Sequence, residues 1–301
     1  MKLVSNKIQN TLGPNATGIL LMLLAIFLFT LMDANVKGMV DHYPAPMLVW
    51  IRFLGQLVLV IILLRHRFFS HFRTRFPLTH MARAVTQIGA TALFFTSLAY
   101  IGLAEATALI DINPVLITLG AALFLGEKLG PRRLFGVVAA LVGALIVIRP
   151  GAGIFTMAAL LPLAGAVFAA ANALITRWIG PQESVWTSMV FTSVICTTIA
   201  SLSLPFVWVP IAPADLPTFA LVGILGTVAQ LCLIRAFTLA EAATVAPFTY
   251  VGILFASVWG YLFFGNLPDR WTIIGALVIV AAGLYVWHRE TRVMRAQGRA
   301  E

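Results

Sequence analysis

Residues Leu103–Glu127 have the sequence LAEATALIDINPVLITLGAALFLGE, and Leu239–Asn266 have the related sequence LAEAATVAPFTYVGILFASVWGYLFFGN. The tetrapeptide LAEA recurs at an offset of 136 residues (239 minus 103), close to half of the 301-residue chain. Each stretch is apolar and contains one proline, Pro114 in the first and Pro247 in the second. This repetition predicts a chain made of two halves that share one fold.

The composition predicts a membrane protein. The chain is 60% hydrophobic and only 10% charged, with a mean hydropathy of +0.97. A soluble domain has about 25% charged residues, so this chain has too few to cover a surface that faces water. Apolar runs of about 20 residues recur along it, and each can cross a hydrocarbon layer of roughly 30 Å. We therefore expect an all-α polytopic membrane protein, because the alternating segments of about 10 residues that mark barrel strands are missing.

The apolar runs divide into five and five. We predict ten transmembrane helices, at residues 18–39, 45–64, 80–101, 103–127, 134–148, 155–178, 184–204, 218–237, 240–264 and 271–287. The first five-helix repeat is predicted to cover residues 1–151, and the second to cover residues 152–301 with a basic C-terminal tail. Because five is odd, the second repeat must enter the membrane from the opposite side, which makes the two repeats inverted.

The distribution of basic residues predicts the orientation. With the N-terminus inside, sixteen lysines and arginines fall at cytoplasmic ends, and four fall in the outer half: Lys37, Arg52, Arg149 and Arg270. Cytoplasmic loops carry the excess of positive charge, so both termini are predicted to be cytoplasmic. The net charge of +9 is explained in this way, and no nucleic-acid partner is expected.

Four charged residues lie inside predicted spans. Asp33 and Lys37 are four residues apart on span one, Arg52 is on span two and Asp111 is on span four. Counting about 1.5 Å per residue places all four in one outer layer of the membrane, with Glu105 nearer the interface. A charge in hydrocarbon costs about 2.5–3.5 kcal/mol on insertion scales, so each one needs a reason.

Two interpretations of this layer fit the spacing. The first is a structural ion-pair network that joins spans one, two and four, with Lys37 and Glu105 reaching toward headgroups. The second is a binding site for a charged or zwitterionic solute, in which Asp33 or Asp111 could also carry a coupling proton. The sequence leaves the choice between them open.

The second half offers aromatic and amide side chains instead of deep charges. Rings usually pack against lipid or core, but Tyr250 lies in mid-span, where its hydroxyl needs a partner, and Trp186 aligns with Trp50 in the repeat. Amides at helix interfaces usually bridge neighbouring helices. The candidate substrate-binding or coupling residues are Asp33, Lys37, Arg52, Gln87, Asp111, Asn113, Trp186, Gln230 and Tyr250.

Pro114 and Pro247 are predicted to interrupt spans four and nine. A proline frees a backbone carbonyl, and such a group is tolerated within a membrane where the helix lines a cavity or packs on protein. The interruptions are therefore expected to face the protein interior.

No enzyme motif is present. The sequence contains no H-E-x-x-H, no P-loop and no paired cysteines, and its five histidines fall in loops or at interfaces. We therefore predict no catalytic residues, no metal site and no cofactor. A membrane enzyme, a channel and a lipid flippase are the alternatives to a carrier, and the sequence predicts no oligomeric state.

The chain resembles the drug/metabolite transporter superfamily in its ten-helix form with two EamA-type repeats. The resemblance covers about residues 18–290 and is carried by the polar end of span one, Arg52, Pro114 with Leu125-Gly126-Glu127, Arg149-Pro150-Gly151 and Ala246-Pro247-Phe248-Thr249-Tyr250. One departure is Gly265-Asn266, where the repeat usually has Gly-Glu.

This resemblance implies a bacterial inner-membrane carrier that moves a small metabolite, such as an amino acid, a nucleoside-like compound or a drug, by alternating access. Its partners would be that substrate and the lipid bilayer. Some relatives resemble exporters, and others resemble uptake carriers for S-adenosylmethionine. The Asp33 and Lys37 pair resembles the uptake group.

Overall fold

The computed structural model describes residues 2–125, 131–148, 157–179, 182–240 and 246–297, and every regular element within these ranges is a helix. The α-helices are α1 (Lys2–Met39), α2 (Ala45–Leu64), α3 (Pro77–Leu98), α4 (Leu103–Ile110), α5 (Asn113–Leu125), α6 (Pro131–Ile148), α7 (Leu160–Ile179), α8 (Val185–Val207), α9 (Leu216–Leu239), α10 (Val251–Phe264) and α11 (Arg270–Gln297). Short 3₁₀ turns occur at Arg65–Arg67, Phe69–Phe72, Met157–Ala159, Pro213–Asp215 and Ala246–Tyr250.

These elements form the ten predicted crossings. Helices α4 and α5 share the fourth crossing, and the 3₁₀ turn Ala246–Tyr250 with α10 forms the ninth. Within the described ranges, five helices are long and apolar enough to span a membrane, at Ala16–Met39, Ala45–Arg67, Met157–Thr176, Val185–Val207 and Pro213–Ala236. Large apolar side chains also face outward, as at Ile62 (58% exposed) and Leu277 (63% exposed). The chain is an all-α polytopic membrane protein, as the sequence predicts.

The terminal helices are longer than the apolar runs that predict them. Helix α1 begins at Lys2 rather than at Gly18, and α11 continues to Gln297 rather than ending at Trp287. An apolar run marks the part of a helix that hydrocarbon can cover, whereas the backbone can remain helical beyond it. The predicted features at 126–130, 149–156 and 241–245 lie outside the described residues.

Both predicted interruptions are present. Pro114 has no N–H to donate to the carbonyl of Ile110, four residues earlier, and α4 ends at that residue. The chain turns through Asp111 and restarts as α5, with the Val115 N–H donating to the Ile112 carbonyl over 3.0 Å. Pro247 lies in the 3₁₀ turn that precedes α10.

The main helix contacts follow the repeat: a contact between a helix of the first half and a helix of the second half has an equivalent contact between their counterparts. Helix α1 packs against α9 and α10, and its counterpart α7 packs against α3 and α5. Helix α2 packs against α9, and its counterpart α8 packs against α3. The pairs α2 with α8, α6 with α11 and α4 with α10 are their own counterparts. This arrangement is that of two similar five-crossing units related by an approximate twofold axis.

Helices α2 and α9 cross where two glycines meet. A Cβ atom on Gly55 would lie 2.5 Å from the Cα of Gly223, and a Cβ on Gly223 would lie 2.8 Å from the Cα of Gly55. Small residues of this kind let helix backbones approach closely inside membranes. At this crossing the first half of the chain contacts the second half. Arg52 lies beside it, one turn from Gly55 on α2.

We expect the substitution Gly55→Ala to lower the melting temperature of the purified protein in detergent. The added methyl group would collide with the backbone of α9, and such overpacking typically costs about 1–3 kcal/mol. Gly38→Ala is the matched control, because its nearest neighbour, Cε1 of Phe264, is 3.8 Å from the new Cβ. Equal melting temperatures for the two variants would contradict the close crossing.

Candidate functional site

Arg52 is a buried charge with incomplete hydrogen bonding. Its Nη1 donates to Oγ1 of Thr91 on α3, while its Nε has no hydrogen-bond partner. Its guanidinium carbon lies 5.1 Å from the ring centre of Phe53 and 5.8 Å from the ring centres of Phe29 and Phe95. Aromatic faces attract a cation at these distances, and the attraction strengthens when water is excluded. The site therefore holds a guanidinium that still has a free donor.

Neighbouring residues fix the position of this guanidinium. Thr91 accepts from Arg52 and donates to the backbone carbonyl of Gln87 over 2.9 Å, so the hydroxyl is held from both sides. On α9, a Cβ on Gly226 would lie 3.5 Å from Nε of Arg52 and 2.9 Å from Sδ of Met32. The absent side chain at Gly226 leaves the space that Arg52 occupies.

Asp33 supplies the negative charge of this region. It lies on α1, is partly buried, and interacts electrostatically with Arg52 on α2. Gln230 lies four residues after Gly226 on α9, so the two share one face of that helix. The structure therefore groups Asp33, Arg52 and the Gln87 backbone with the face of α9 that carries Gln230.

Lys37 has a different environment from Asp33, although one helical turn separates them. Its Nζ donates to the backbone carbonyl of Leu98 and, over 3.0 Å, to that of Ile101. These carbonyls close the C-terminal end of α3, where a helix favours positive charge. Asp41 and Glu105 also interact electrostatically with Lys37. Lys37 thus joins the end of α3 to α1, and its role as a substrate-binding residue stays a prediction.

Asp111, Asn113 and Tyr250 lie at the two helix interruptions. Asp111 is in the break between α4 and α5, and its Oδ2 lies 3.9 Å from the position of a Cβ on Gly252 of α10. Tyr250 ends the 3₁₀ turn before α10 and interacts electrostatically with Asp111. Oδ2 of Asp111, Oδ1 of Asn113 and the hydroxyl of Tyr250 are all buried without a hydrogen-bond partner.

Trp186 lies apart from both groups. It packs on an apolar cluster near the start of α8, formed with Val60, Leu64, Phe68 and Met189. Leu64 is twelve residues beyond Arg52 on α2, about 18 Å along the helix. Trp50, which is equivalent to Trp186 in the first repeat, donates Nε1–H to Oγ of Ser201 over 2.9 Å.

The structure also shows buried polar contacts made by residues outside the list of candidate site residues. Arg83 is buried on α3 and donates to Oγ1 of Thr176 and Oγ1 of Thr192 over 2.8 Å each, and to the Ser188 carbonyl over 3.2 Å. Asn172 donates to the Arg83 carbonyl over 2.7 Å. The orientation prediction placed Arg83 among the cytoplasmic charges. Its position six residues after the start of α3 already indicated that the side chain lies inside the crossing.

Thr91, which accepts the hydrogen bond from Arg52, has an equivalent residue in the second repeat and could have been found from the sequence in that way. Thr91 and Thr227 are separated by the same 136 residues (227 minus 91) as the LAEA motifs, and both are buried. Each donates to the carbonyl four residues earlier, Thr91 to Gln87 over 2.9 Å and Thr227 to Gly223 over 2.7 Å. The duplication therefore extends to individual hydrogen bonds.

Contacts between loops agree with the predicted alternation of sides. Tyr43, between α1 and α2, donates to Oδ2 of Asp215 over 2.7 Å and accepts from the Ala212 N–H over 3.1 Å. The bond to Asp215 raises the pKa of the Tyr43 hydroxyl. At the other end, Thr74 donates to Oε1 of Glu183 over 2.6 Å. Each contact joins two loops that the ten-crossing prediction places on one side.

The described residues contain no cluster of three or more histidine, cysteine, aspartate or glutamate side chains, which is the donor set of most transition-metal sites. Cys196 and Cys232 are both free and buried.

Known proteins resemble the chain over most of its length. The sequence model of the EamA-like transporter family matches residues 16–149 and 156–287. A pseudopaline exporter of Pseudomonas aeruginosa is 31% identical over 88% of this chain and 94% of its own. A riboflavin transporter of Rhizobium johnstonii is 35% identical over 73% of each chain. An S-adenosylmethionine uptake transporter of Rickettsia bellii is 23% identical over 89% of this chain and 94% of its own.

The fold also matches a solved crystal structure. That chain has a TM-score of 0.66 and 18% sequence identity to this one, and the match covers 92% of this chain and 98% of that chain.

We expect Lys37→Met to destabilise the protein by about 1–2 kcal/mol, because the carbonyls at the end of α3 lose a charged donor. The measurement is the melting temperature in detergent, with Lys37→Arg as the control that keeps the charge. If Lys37→Met melts at the same temperature as the wild type, the bonds from Lys37 to the end of α3 do not stabilise the fold.

Proposed function

Because the chain belongs to the EamA-like transporter family, we propose that it moves a metabolite bearing a carboxylate across the bacterial inner membrane by alternating access, with that carboxylate bound at Arg52. The chain is a transporter of small metabolites rather than an enzyme, as its family and relatives are. The observation that carries the proposal is the buried Arg52 guanidinium, whose Nε has no hydrogen-bond partner.

The chemistry of the guanidinium favours a carboxylate. A buried charge is costly unless it is paired and its donors are satisfied. Thr91 occupies Nη1, and the neighbouring rings offer attraction but no acceptor for Nε. An arginine presents its donors as a planar fork that matches the two oxygens of a carboxylate. A substrate carboxylate at Nε would therefore complete the hydrogen bonding of Arg52.

Asp33 extends the proposal to zwitterions. Its carboxylate acts on Arg52 and is only partly buried, so a substrate ammonium could approach it from the accessible side. An amino-acid group carries both charges within a few bonds. S-adenosylmethionine contains such a group, and its uptake transporter is one of the relatives. That relative supports binding of a zwitterion by Asp33 and Arg52. It does not favour uptake over export, since another relative is an exporter.

A second candidate substrate is a metabolite with a flat ring system. Phe27 of α1 lies 5.4 Å from the ring of Phe255 and 5.3 Å from the ring of Trp259 on α10, and Trp259 donates to Oγ1 of Thr30 over 3.2 Å. Aromatic walls of this kind stack on planar ligands. A riboflavin transporter is among the relatives, which supports a ring-bearing substrate for this wall.

We further propose that residues 1–151 and 152–301 form the two repeats and that both termini are cytoplasmic. The exchange of helix pairs between halves supports the division. The excess of basic residues at one side supports the orientation. Neither proposal depends on the identity of the substrate.

The test is a thermal-shift screen of the purified protein against amino acids, S-adenosylmethionine, nucleosides, riboflavin and lipophilic cations. A ligand at 100 times its dissociation constant stabilises by about 2.7 kcal/mol, on the order of 5 °C for a protein of this size. We expect a carboxylate ligand to raise the melting temperature of the wild type and to have little effect on Arg52→Gln. Asp33→Asn should weaken the effect for zwitterions more than for simple carboxylates.

Arg83→Gln is the matched control. It also removes a buried arginine, but the partners of Arg83 are protein groups on α7 and α8. We expect Arg83→Gln to melt earlier yet to keep its response to the ligand. A ligand that stabilises the wild type and Arg52→Gln equally would refute the carboxylate site.

The second candidate, a substrate with a flat ring system, is tested with the substitution Trp259→Leu. Trp259→Leu removes the largest ring of the α1 and α10 wall and leaves Arg52 in place. We expect it to weaken the affinity for riboflavin and nucleosides by a factor of about 2–13, since a stacking contact is worth about 0.5–1.5 kcal/mol. An unchanged response to these compounds would exclude the wall as their binding surface.

A further inference from the structure

The loop between α2 and α3 combines positive charge with aromatic rings. Residues 65–76 (the basic loop) have the sequence RHRFFSHFRTRF, which contains four arginines, two histidines, four phenylalanines and no acidic residue. The four arginine side chains are exposed. Basic segments next to a membrane-spanning helix are attracted to anionic lipid headgroups, and aromatic rings favour the same interfacial depth.

The basic loop is held against the helices by one buried ring. Phe68 is buried in an apolar cluster with Val60 and Met189, and its ring centre lies 5.3 Å from that of Phe72. Phe69, by contrast, is 78% exposed, and its ring stacks on Phe72 with 6.3 Å between the ring centres. The loop therefore presents an apolar ring to its surroundings beside the exposed arginines.

A cavity of about 600 Å³ lies where the basic loop meets the link between α7 and α8. It is lined by Arg73, Thr74, Arg75, Phe76, Gln182 and Glu183. Oε1 of Glu183 accepts hydrogen bonds from the Thr74 hydroxyl over 2.6 Å and from the backbone N–H of Arg75 over 3.3 Å, so this carboxylate fixes the loop backbone. Two arginine side chains line the cavity against one carboxylate, which favours an anionic ligand.

Apolar side chains beside the cavity are exposed on two membrane-crossing helices. Leu78, two residues after Phe76 and in the first turn of α3, is 82% exposed. The ring of Trp178, near the end of α7, is also exposed, and its centre lies 5.8 Å from that of Phe76. A ligand that matches both features has an anionic head for the arginines and hydrocarbon for these side chains. An anionic phospholipid has both parts, whereas free phosphate has only the first.

We propose that this cavity binds an anionic phospholipid, with the lipid phosphate held by Arg73 and Arg75 and the acyl chains lying along Leu78 and Trp178. Each arginine presents a planar fork of donors that matches phosphate oxygens. Phe69 lies at the interface beside the headgroup, where aromatic rings are favoured. The site goes beyond the transport function, and it requires nothing of the substrate.

The experiment measures the melting temperature of the full chain in an uncharged detergent, with no substrate present. Three probes are titrated separately: phosphatidylglycerol, phosphatidylcholine with the same acyl chains, and inorganic phosphate. Phosphatidylcholine keeps the chains and the phosphate but has no net charge, and inorganic phosphate keeps the charge but has no chains. We expect phosphatidylglycerol to raise the melting temperature at the lowest concentration, because it binds the folded protein most tightly. An equal response to either of the other two probes overturns the proposal.

Substitutions of the arginines test the position of the site. We expect the variant with both Arg73→Gln and Arg75→Gln to need about tenfold more phosphatidylglycerol for half of the rise, since it loses charge-assisted hydrogen bonds. The matched control carries Arg65→Gln and Arg67→Gln, which remove the same charge from the same loop but do not line the cavity. The control should keep a midpoint close to that of the wild type. Equal shifts in the two variants would mean that attraction is spread over the loop, and they would refute the cavity site.

Leu78→Gln tests the choice of a lipid over a soluble anion. This substitution keeps both arginines and removes exposed apolar surface beside the cavity. We expect the phosphatidylglycerol midpoint to rise about fourfold, as for the loss of contact by about one CH₂ group. A midpoint equal to that of the wild type would show that the acyl chains do not lie along this face, and the proposed lipid site would be wrong.

Discussion

The structure depends on the requirement that every backbone N–H and C=O in hydrocarbon finds a partner within the protein. Regular helices meet this requirement by themselves, which is why the crossings are helical and why their outer faces carry residues such as Ile62 and Leu277. Pro114 and Pro247 interrupt the regular helices, because proline has no N–H to donate to a helical carbonyl. The break at Pro114 lies where α4 packs on α10, and the 3₁₀ turn at Pro247 leads directly into α10. The irregular backbone is therefore kept away from lipid and becomes available to bind ions or solutes.

The buried charges follow the same requirement, and their differences separate structural from functional candidates. Arg83 has three acceptors on α7 and α8, and Lys37 has two carbonyls near the end of α3. Both satisfy their charge with protein groups and join helices. Arg52 keeps a donor unpaired, and Asp111 keeps an acceptor unpaired. An unpaired buried group lowers stability by about 1–3 kcal/mol, so its presence favours a role in binding.

The sequence predicted the crossings well because hydrophobic length is a one-dimensional property. Helix α2 begins and ends at the predicted residues, Ala45 and Leu64. The charged layer was harder to predict, since depth can be counted along a helix but the direction of a side chain cannot. Asp33 and Lys37 are one turn apart, yet one interacts with Arg52 and the other with the end of α3. Whether either residue contacts substrate stays a prediction.

The inverted repeat also explains why equivalent residues of the two halves make different contacts. Inversion sends Trp50 and Trp186 to opposite ends of the protein, where one donates to Ser201 and the other packs beside Leu64. Thr91 and Thr227 keep the same backbone bond, but in the first half Thr91 also holds Arg52. The two halves thus share a scaffold and differ in chemistry.

This difference matters for a carrier that must open to either side. Among the described residues, hydrogen bonds join loops at both ends, such as Tyr43 with Asp215 at one end and Thr74 with Glu183 at the other. Each such hydrogen bond contributes about 0.5–1.5 kcal/mol net to the closed arrangement of its end. A ligand can shift such an equilibrium only by its differential affinity for the two states. A ligand that pairs with the unpaired Nε of Arg52 therefore couples binding to opening only if it pairs more strongly in one of the two states.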